Sequence, residues 1–324
     1  MSNDGDPGDA EGRIPDGRYR LLDRIGSGAS GTVWRGRDEL TGREVAVKKP
    51  WLPGRPEEEP YRRAAHRLQR EARAAARVDH PCAVTIHDVV MAEGADVEGG
   101  LPWIVMEFIH GESLRETLRR GPLDPAEAAR VGLAVLGALR AAHVVGIVHG
   151  DLKPTNVLLG HPPLPAPPGR GAHGRVVVTD FGIAHVLGEE ARTATGDGVG
   201  APDFIAPERM SGRGAGPASD LWSLGVLLYA AVEGRSPFHG TAPRSTPAAV
   251  FAADPPEPAR AGPLAPLLQG LLHRDPERRP TPQDTATALE AARAALDEGR
   301  AAGRDTARAG LDRRAAPPCP VDSR

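Results

Sequence analysis

Lysine is almost missing from this chain. Of its 40 basic residues only Lys48, Lys49 and Lys153 are lysines, and the rest are arginine. Arginine carries an ordinary surface charge equally well, so a retained lysine hints at a place that needs a compact ammonium. Cysteine is scarcer still. Cys82 and Cys319 stand far apart with no C-x-x-C spacing, which argues against a disulfide framework or a zinc site and fits a reducing interior. The 11 histidines are scattered, and none forms an H-E-x-x-H pair. There is no excess of positive charge: the net charge is −3 with an isoelectric point near 6.4, so no basic surface advertises nucleic-acid binding. Nor is there an apolar run of ~18 residues, and no membrane span is expected. The opening "MSNDGDPGDAEGR" is acidic and glycine-rich rather than basic then apolar, so no secretory signal is expected and a cytoplasmic setting is.

What is present falls into two regions. With 324 residues the chain has ample length for a sizeable core. Residues 1–17 are expected to be a disordered tail. From Arg18 short strands follow: "RYRLLDRIG", "TVWRGRDE" and "REVAVKK", with Thr41-Gly42 as a turn. "WLPGRPEEEP" reads as a loop and "YRRAAHRLQREARAAARV" as a helix. "AVTIHDVVM" and "LPWIVMEFI" add two strands to a small antiparallel sheet. After Ile109 the character is helical. Ser113 and Glu116 make a capping box, and Asp124 with Pro125 opens a helix whose Val131, Val135, Leu136 and Leu139 share one face. "ASDLWSLGVLLYAAVEG" is apolar nearly all round, as a buried central helix should be. "APLLQGLLHRD" and "PQDTATALEAARAALDEG" complete the domain, and residues 297–324 are expected to form a flexible tail.

Several short motifs carry chemistry. Gly26, Gly28 and Gly31 in "IGSGASGTV" form a G-x-G-x-x-G. A dinucleotide fingerprint needs a helix after the glycines, and a Walker A loop needs Gly-Lys-Ser/Thr. A strand follows here, so a glycine hairpin letting backbone amides approach ATP phosphates fits best. "VAVK" ends in Lys48, an ammonium for the α- and β-phosphates, for which Glu71 on the next helix is the candidate partner. The plainer alternative for Glu71 is a surface pair with Arg67. "HGDLKPTN" (His149–Asn156), "TDFG" (Thr179–Gly182) and "APE" (Ala206–Glu208) then follow in order.

Together these motifs resemble the eukaryotic-like Ser/Thr protein kinases of bacteria, over about residues 18–296. The resemblance implies an α+β bilobal protein-kinase-like fold: a small antiparallel-sheet N-lobe with one main helix (about 18–107) and a larger, mostly helical C-lobe (about 108–296). It implies an ATP-dependent enzyme using Mg²⁺, with Mn²⁺ as the alternative ion, and protein substrates that offer Ser or Thr hydroxyls. Asp151 would accept the hydroxyl proton, Lys153 would steady the γ-phosphate, and Asn156 and Asp180 would hold the metal ions. Gly26, Ser27, Gly28 and Gly31 would cover the phosphates. Met106 would be the gatekeeper, Glu107 and Ile109 would offer backbone hydrogen bonds to adenine, and Ile25, Val33, Ala46 and Leu158 would sandwich its ring. Asp220 would brace the catalytic loop, and Glu208 would pair with Arg279.

The chain also departs from the family. Gly150 stands where H-R-D has arginine, so dependence on activation-loop phosphorylation by that route is not expected; Thr193 and Thr195 are the candidate phosphosites. Ala201 replaces a threonine that contacts the catalytic aspartate and lysine, and Gly160–Gly174 is a proline/glycine-rich insertion. A kinase-like scaffold without catalysis and a small-molecule kinase, both suggested by "HGD" or Ala201, are the alternatives. The input signal is expected from a regulatory protein partner, with no nucleic acid and no membrane involved.

Overall fold

A computed structural model describes residues 17–28, 30–52, 54–55, 57–91, 101–162, 174–182, 202–212, 214–238 and 254–315. Ala201, Thr193, Thr195 and the centre of the Gly160–Gly174 insertion lie outside the described residues.

The first region is a five-stranded antiparallel sheet. Strands β1 (Tyr19–Gly28), β2 (Gly31–Asp38), β3 (Glu44–Pro50), β4 (Ile86–Met91) and β5 (Pro102–Glu107) lie in the order β1-β2-β3-β5-β4. One face buries Tyr19, Leu21, Trp34, Val45, Val47, Trp103 and Val105, with the two indoles stacked at 5.6 Å between centroids. Against the other face packs helix α1 (Glu59–Ala75), through Ala65, Leu68, Ala72 and Ile104 of β5. Those α1 positions recur at three- and four-residue spacing, the stripe an amphipathic helix must bury.

The second region is helical. A short sheet joins β6 (Gly111–Ser113), β7 (Val157–Gly160) and β8 (Val176–Val178). Around it stand α2 (Leu114–Arg119), α3 (Pro125–Val144), α4 (Pro207–Met210), α5 (Pro217–Glu233), α6 (Ala265–Leu271) and α7 (Pro282–Ala315). Ser113 caps α2 in a reciprocal box with Glu116, and Asp124 caps α3 through the Ala126 amide at 2.9 Å. Helix α5 is buried at every position from Ser219 to Val232, so its all-round apolar sequence is that of a central helix.

Helix α7 runs past residue 296, on to Ala315. Alanine, arginine and leucine are strong helix formers, and Gly299, Gly303 and Gly310 cost only about 1 kcal/mol each.

Candidate active site

The glycine hairpin forms between β1 and β2, where Gly26 faces Val33, Ser27 faces Thr32 and Gly28 faces Gly31. Gly31 has φ +127°, and a Cβ there would collide with the Lys49 carbonyl, so this glycine is needed for its close approach to β3. Beneath the hairpin lies a separate apolar cluster. Ala46, Val84, Met106 and Val177 are its buried members, and Val33, Phe108, Ile109 and Leu158 pack against it. Five of the residues expected around adenine therefore meet, joined by Val84, Val177 and Phe108, which carry no motif. Ile25 is not among them; it stays 50% exposed on β1.

Glu107 closes the end of β5. Its amide donates to Thr85 O at 2.9 Å, and its carboxylate accepts from the Thr85 amide at 2.8 Å and from the Arg175 guanidinium at 2.6 and 2.9 Å. Burial works to raise this carboxyl, but the Arg175 and Thr85 hydrogen bonds outweigh it and hold it below the ordinary glutamate value.

The His149–Asn156 loop is fixed by a buried carboxylate. Asp220, in the first turn of α5 and fully buried, accepts from the amides of His149 and Gly150, each at 2.9 Å, and meets His143 Nε2 at 2.8 Å. His149 Nδ1 accepts from the Asp151 amide at 3.2 Å, so its Nε2 carries the proton donated to Thr179 O at 2.9 Å. Arg209 of α4, itself buried, donates to the Gly150 carbonyl. The peptide bond leading into Asp151 is thus held on both sides.

On that support Lys153 Nζ lies 2.6 Å from Asp151 Oδ2. Asn156 Nδ2 donates to the Asp151 carbonyl at 2.8 Å and reaches its Oδ2 at 3.4 Å. The Thr179 amide donates to Asn156 O at 2.9 Å, which sets Asn156 against the residue before Asp180. Asp180 has φ +64°, a left-handed backbone that no other described non-glycine residue adopts. Such a conformation costs about 1–2 kcal/mol and persists where surrounding structure imposes it. Asn156 and the partly exposed Asp180 supply oxygen donors of the kind that hard divalent cations take.

The Lys48–Glu71 pair is not formed. Lys48 Nζ, with its side chain 1% exposed, lies 2.8 Å from Asp180 Oδ1, close enough for an ion pair but not aligned as a hydrogen bond. Glu71 Oε2 is buried without a hydrogen-bond partner. Burial pushes the Glu71 carboxyl up to about 7, against the opposing pull of Arg67 and Arg70. The Glu208–Arg279 pair is formed, at 2.6 and 2.7 Å, and Arg279 also lies over the Trp222 ring at 5.2 Å.

Residues 19–289 match the protein kinase domain family, and the chain belongs to that family. It is 35% identical over 286 residues to the serine/threonine-protein kinase PkaA of Streptomyces coelicolor, covering 84% of this chain and 49% of the relative. It is 38% identical over 227 residues to the serine/threonine-protein kinase PknA of Mycobacterium tuberculosis, covering 69% of this chain and 48% of the relative. The chain thus spans about half the length of these curated relatives. The crystal structure of the Mycobacterium tuberculosis PknI kinase domain superimposes with a TM-score of 0.62 at 24% identity, over 87% of this chain and 98% of that one. It shares the fold. Among the described residues, no helix is long and apolar enough to cross a membrane.

Proposed function

We propose that this chain is a serine/threonine protein kinase that moves the γ-phosphoryl of ATP to Ser or Thr hydroxyls of proteins. The observation that carries this reading is the Asp151–Lys153–Asn156 constellation, locked by Asp220 in a chain of the protein kinase family. In the transfer, the hydroxyl oxygen bonds to the γ-phosphorus, its proton passes to Asp151, and the bond to the β,γ-bridging oxygen breaks to release ADP. Lys153 balances charge beside Asp151 as the phosphoryl group moves. Lys48 would hold the α- and β-phosphates, and the backbone of Gly26–Gly31 would cover them. The apolar cluster of Ala46, Met106 and Leu158 would take the adenine ring, with Glu107 O and Ile109 N as its polar edge.

Asn156 and Asp180 would hold the divalent cation, which when bound neutralises phosphate charge; Mg²⁺ is the ion proposed, ahead of Mn²⁺. Lys48 meets Asp180 in their shared region, and nucleotide phosphates and a cation would give each of them a new partner. Autophosphorylation, with Thr193 and Thr195 as acceptors, belongs to the same proposal, as do a protein partner for regulation and a cytoplasmic setting. The buried Glu208–Arg279 pair favours the protein-kinase reading over the small-molecule one, because it matches the expected brace of a peptide-binding lobe.

The test is phosphoryl transfer from labelled ATP, with Mg²⁺ or Mn²⁺, to the chain itself and to a Ser/Thr-rich protein. Label on Ser or Thr is expected, falling about 10²–10⁴-fold in Asp151→Asn and disappearing in Lys48→Met. Nucleotide binding without any transfer would replace this reading with the scaffold. Transfer only to metabolites would replace it with the small-molecule kinase.

A further inference from the structure

Arg175 stands immediately before β8, and nothing in the motif pattern assigns it a role. Its Nη1 and Nη2 donate to Glu107 Oε2 and Oε1 at 2.6 and 2.9 Å, a two-pronged fork on one carboxylate. Its Nε donates to Pro81 O at 2.5 Å, and Nη2 reaches Ala83 O at 3.5 Å. One guanidinium therefore ties together three segments: the end of β5, the 81–85 stretch before β4, and β8.

Those segments carry the apolar cluster. Met106 precedes Glu107 on β5, Val84 lies in the 81–85 stretch, and Val177 lies on β8. The stretch and β8 are also joined by backbone, with the Val84 amide donating to Val178 O and the Val178 amide to Cys82 O, both at 2.8 Å. Glu107 is pinned to Thr85 through its own amide and its carboxylate. Arg175 closes this ring from the outside.

We propose that Arg175 is a positioning residue for nucleotide binding, acting through Glu107 to hold the β5 end in register with β8. The inference rests on the reading that Glu107 O and Ile109 N meet the adenine edge. Its physical content is distance. Five residues run from Arg175 to Asp180, at most about 16 Å of chain. Fixing Arg175 to Glu107 therefore limits how far the base-binding end of the site can lie from the aspartate proposed for the cation. Arginine suits this task because a planar fork sets an orientation, whereas an ammonium supplies only a point charge.

The pair is only partly desolvated, with side chains 42% and 18% exposed, so its effect is limited. Replacing Arg175 with Met is expected to raise the dissociation constant of a fluorescent ATP analogue by about three- to tenfold. The KM for ATP should rise by the same factor, with kcat and the KM for the protein substrate within about twofold of wild type. Glu107→Gln should reproduce the effect. Arg175→Lys should fall between wild type and Met, and Arg175→Met/Glu107→Gln should be no worse than the larger single change.

Unchanged nucleotide affinity in Arg175→Met would overturn the proposal. So would an equal loss of kcat and of affinity for the protein substrate, which would mark a general loosening. If Arg175→Met does not fold, Arg175→Lys and Glu107→Gln carry the same test. Because the titration needs no turnover, a wild-type chain that binds nucleotide but transfers nothing sinks the kinase reading alone.

Discussion

Lys48 pairs with Asp180 at 2.8 Å and leaves the buried Glu71 Oε2 without a hydrogen bond. The ammonium proposed for the phosphates and the carboxylate proposed for the cation thus neutralise each other, and the helix glutamate is the odd member. This has a consequence for stability. The Glu71 carboxyl, raised to about 7 from an ordinary 4.5, keeps a proton in the folded chain that the unfolded chain releases. Between about pH 4.5 and 7 the folded state therefore binds more protons, and stability falls as pH rises through that window. Glu71→Gln removes this dependence. Without nucleotide, the variant is expected to exceed wild type at pH 8 by about 1 kcal/mol, after discounting for the solvent that half-buried Glu71 still meets. Melting curves at pH 5 and pH 8 decide the matter, and identical pH dependence in the two proteins would refute the assignment.

Asp220 supports two consecutive amides, those of His149 and Gly150, each bonded at 2.9 Å. Asp220→Ala strands those buried donors and frees the His143 ring. Each stranded group costs about 1–3 kcal/mol, so a loss of about 2–5 kcal/mol is expected in urea unfolding. Asp220→Asn keeps one acceptor oxygen and should lie between. A value for the alanine variant within about 0.5 kcal/mol of wild type, the range of ordinary surface changes, would show that the loop is held by something else.

Gly150 is more than a missing arginine. Its φ is +70°, a backbone region that costs a residue with a side chain about 1–2 kcal/mol. Its amide goes to Asp220 and its carbonyl to Arg209. Gly150→Ala is expected to lower stability by that amount while leaving the hydrogen bonds in place. With no guanidinium at position 150, Thr193→Ala/Thr195→Ala is expected to retain most of the transfer activity of wild type. Collapse of activity in that double variant would show that another group reads the phosphorylated loop.

What was legible in the sequence was mostly local. The Ser113 and Asp124 caps, the turn at Thr41-Gly42 and the all-apolar α5 each depend on residues within a few positions, and local chemistry decides them. The order of the motifs carried the fold and five members of the apolar cluster. Other relationships were hidden for a physical reason. His143 meets Asp220 across 77 residues and Arg175 meets Glu107 across 68, and neither pair has a periodicity that announces it. The partner of Lys48 was hidden differently. Glu71 and Asp180 are both carboxylates, and only three-dimensional placement selects between them.

Glu208 and Arg279 are a long-range pair whose presence says little about its net value. The guanidinium is fully buried and the carboxylate is 9% exposed, so both charges have left water. Their attraction, and the Arg279 bonds to the carbonyls of Ala218 and His273, offset that desolvation. The pair is therefore expected to add little net stability relative to an apolar replacement, yet its halves are not separable. Glu208→Gln leaves a buried guanidinium short of its counter-charge and should destabilise by about 3–5 kcal/mol. Glu208→Leu/Arg279→Met should recover much of that loss, because neither charge then remains in the interior. Chemical unfolding of wild type and both variants measures the difference. If the double variant is no more stable than Glu208→Gln, the pair contributes through the Ala218 and His273 carbonyls rather than through charge, and the brace is a hydrogen-bond junction.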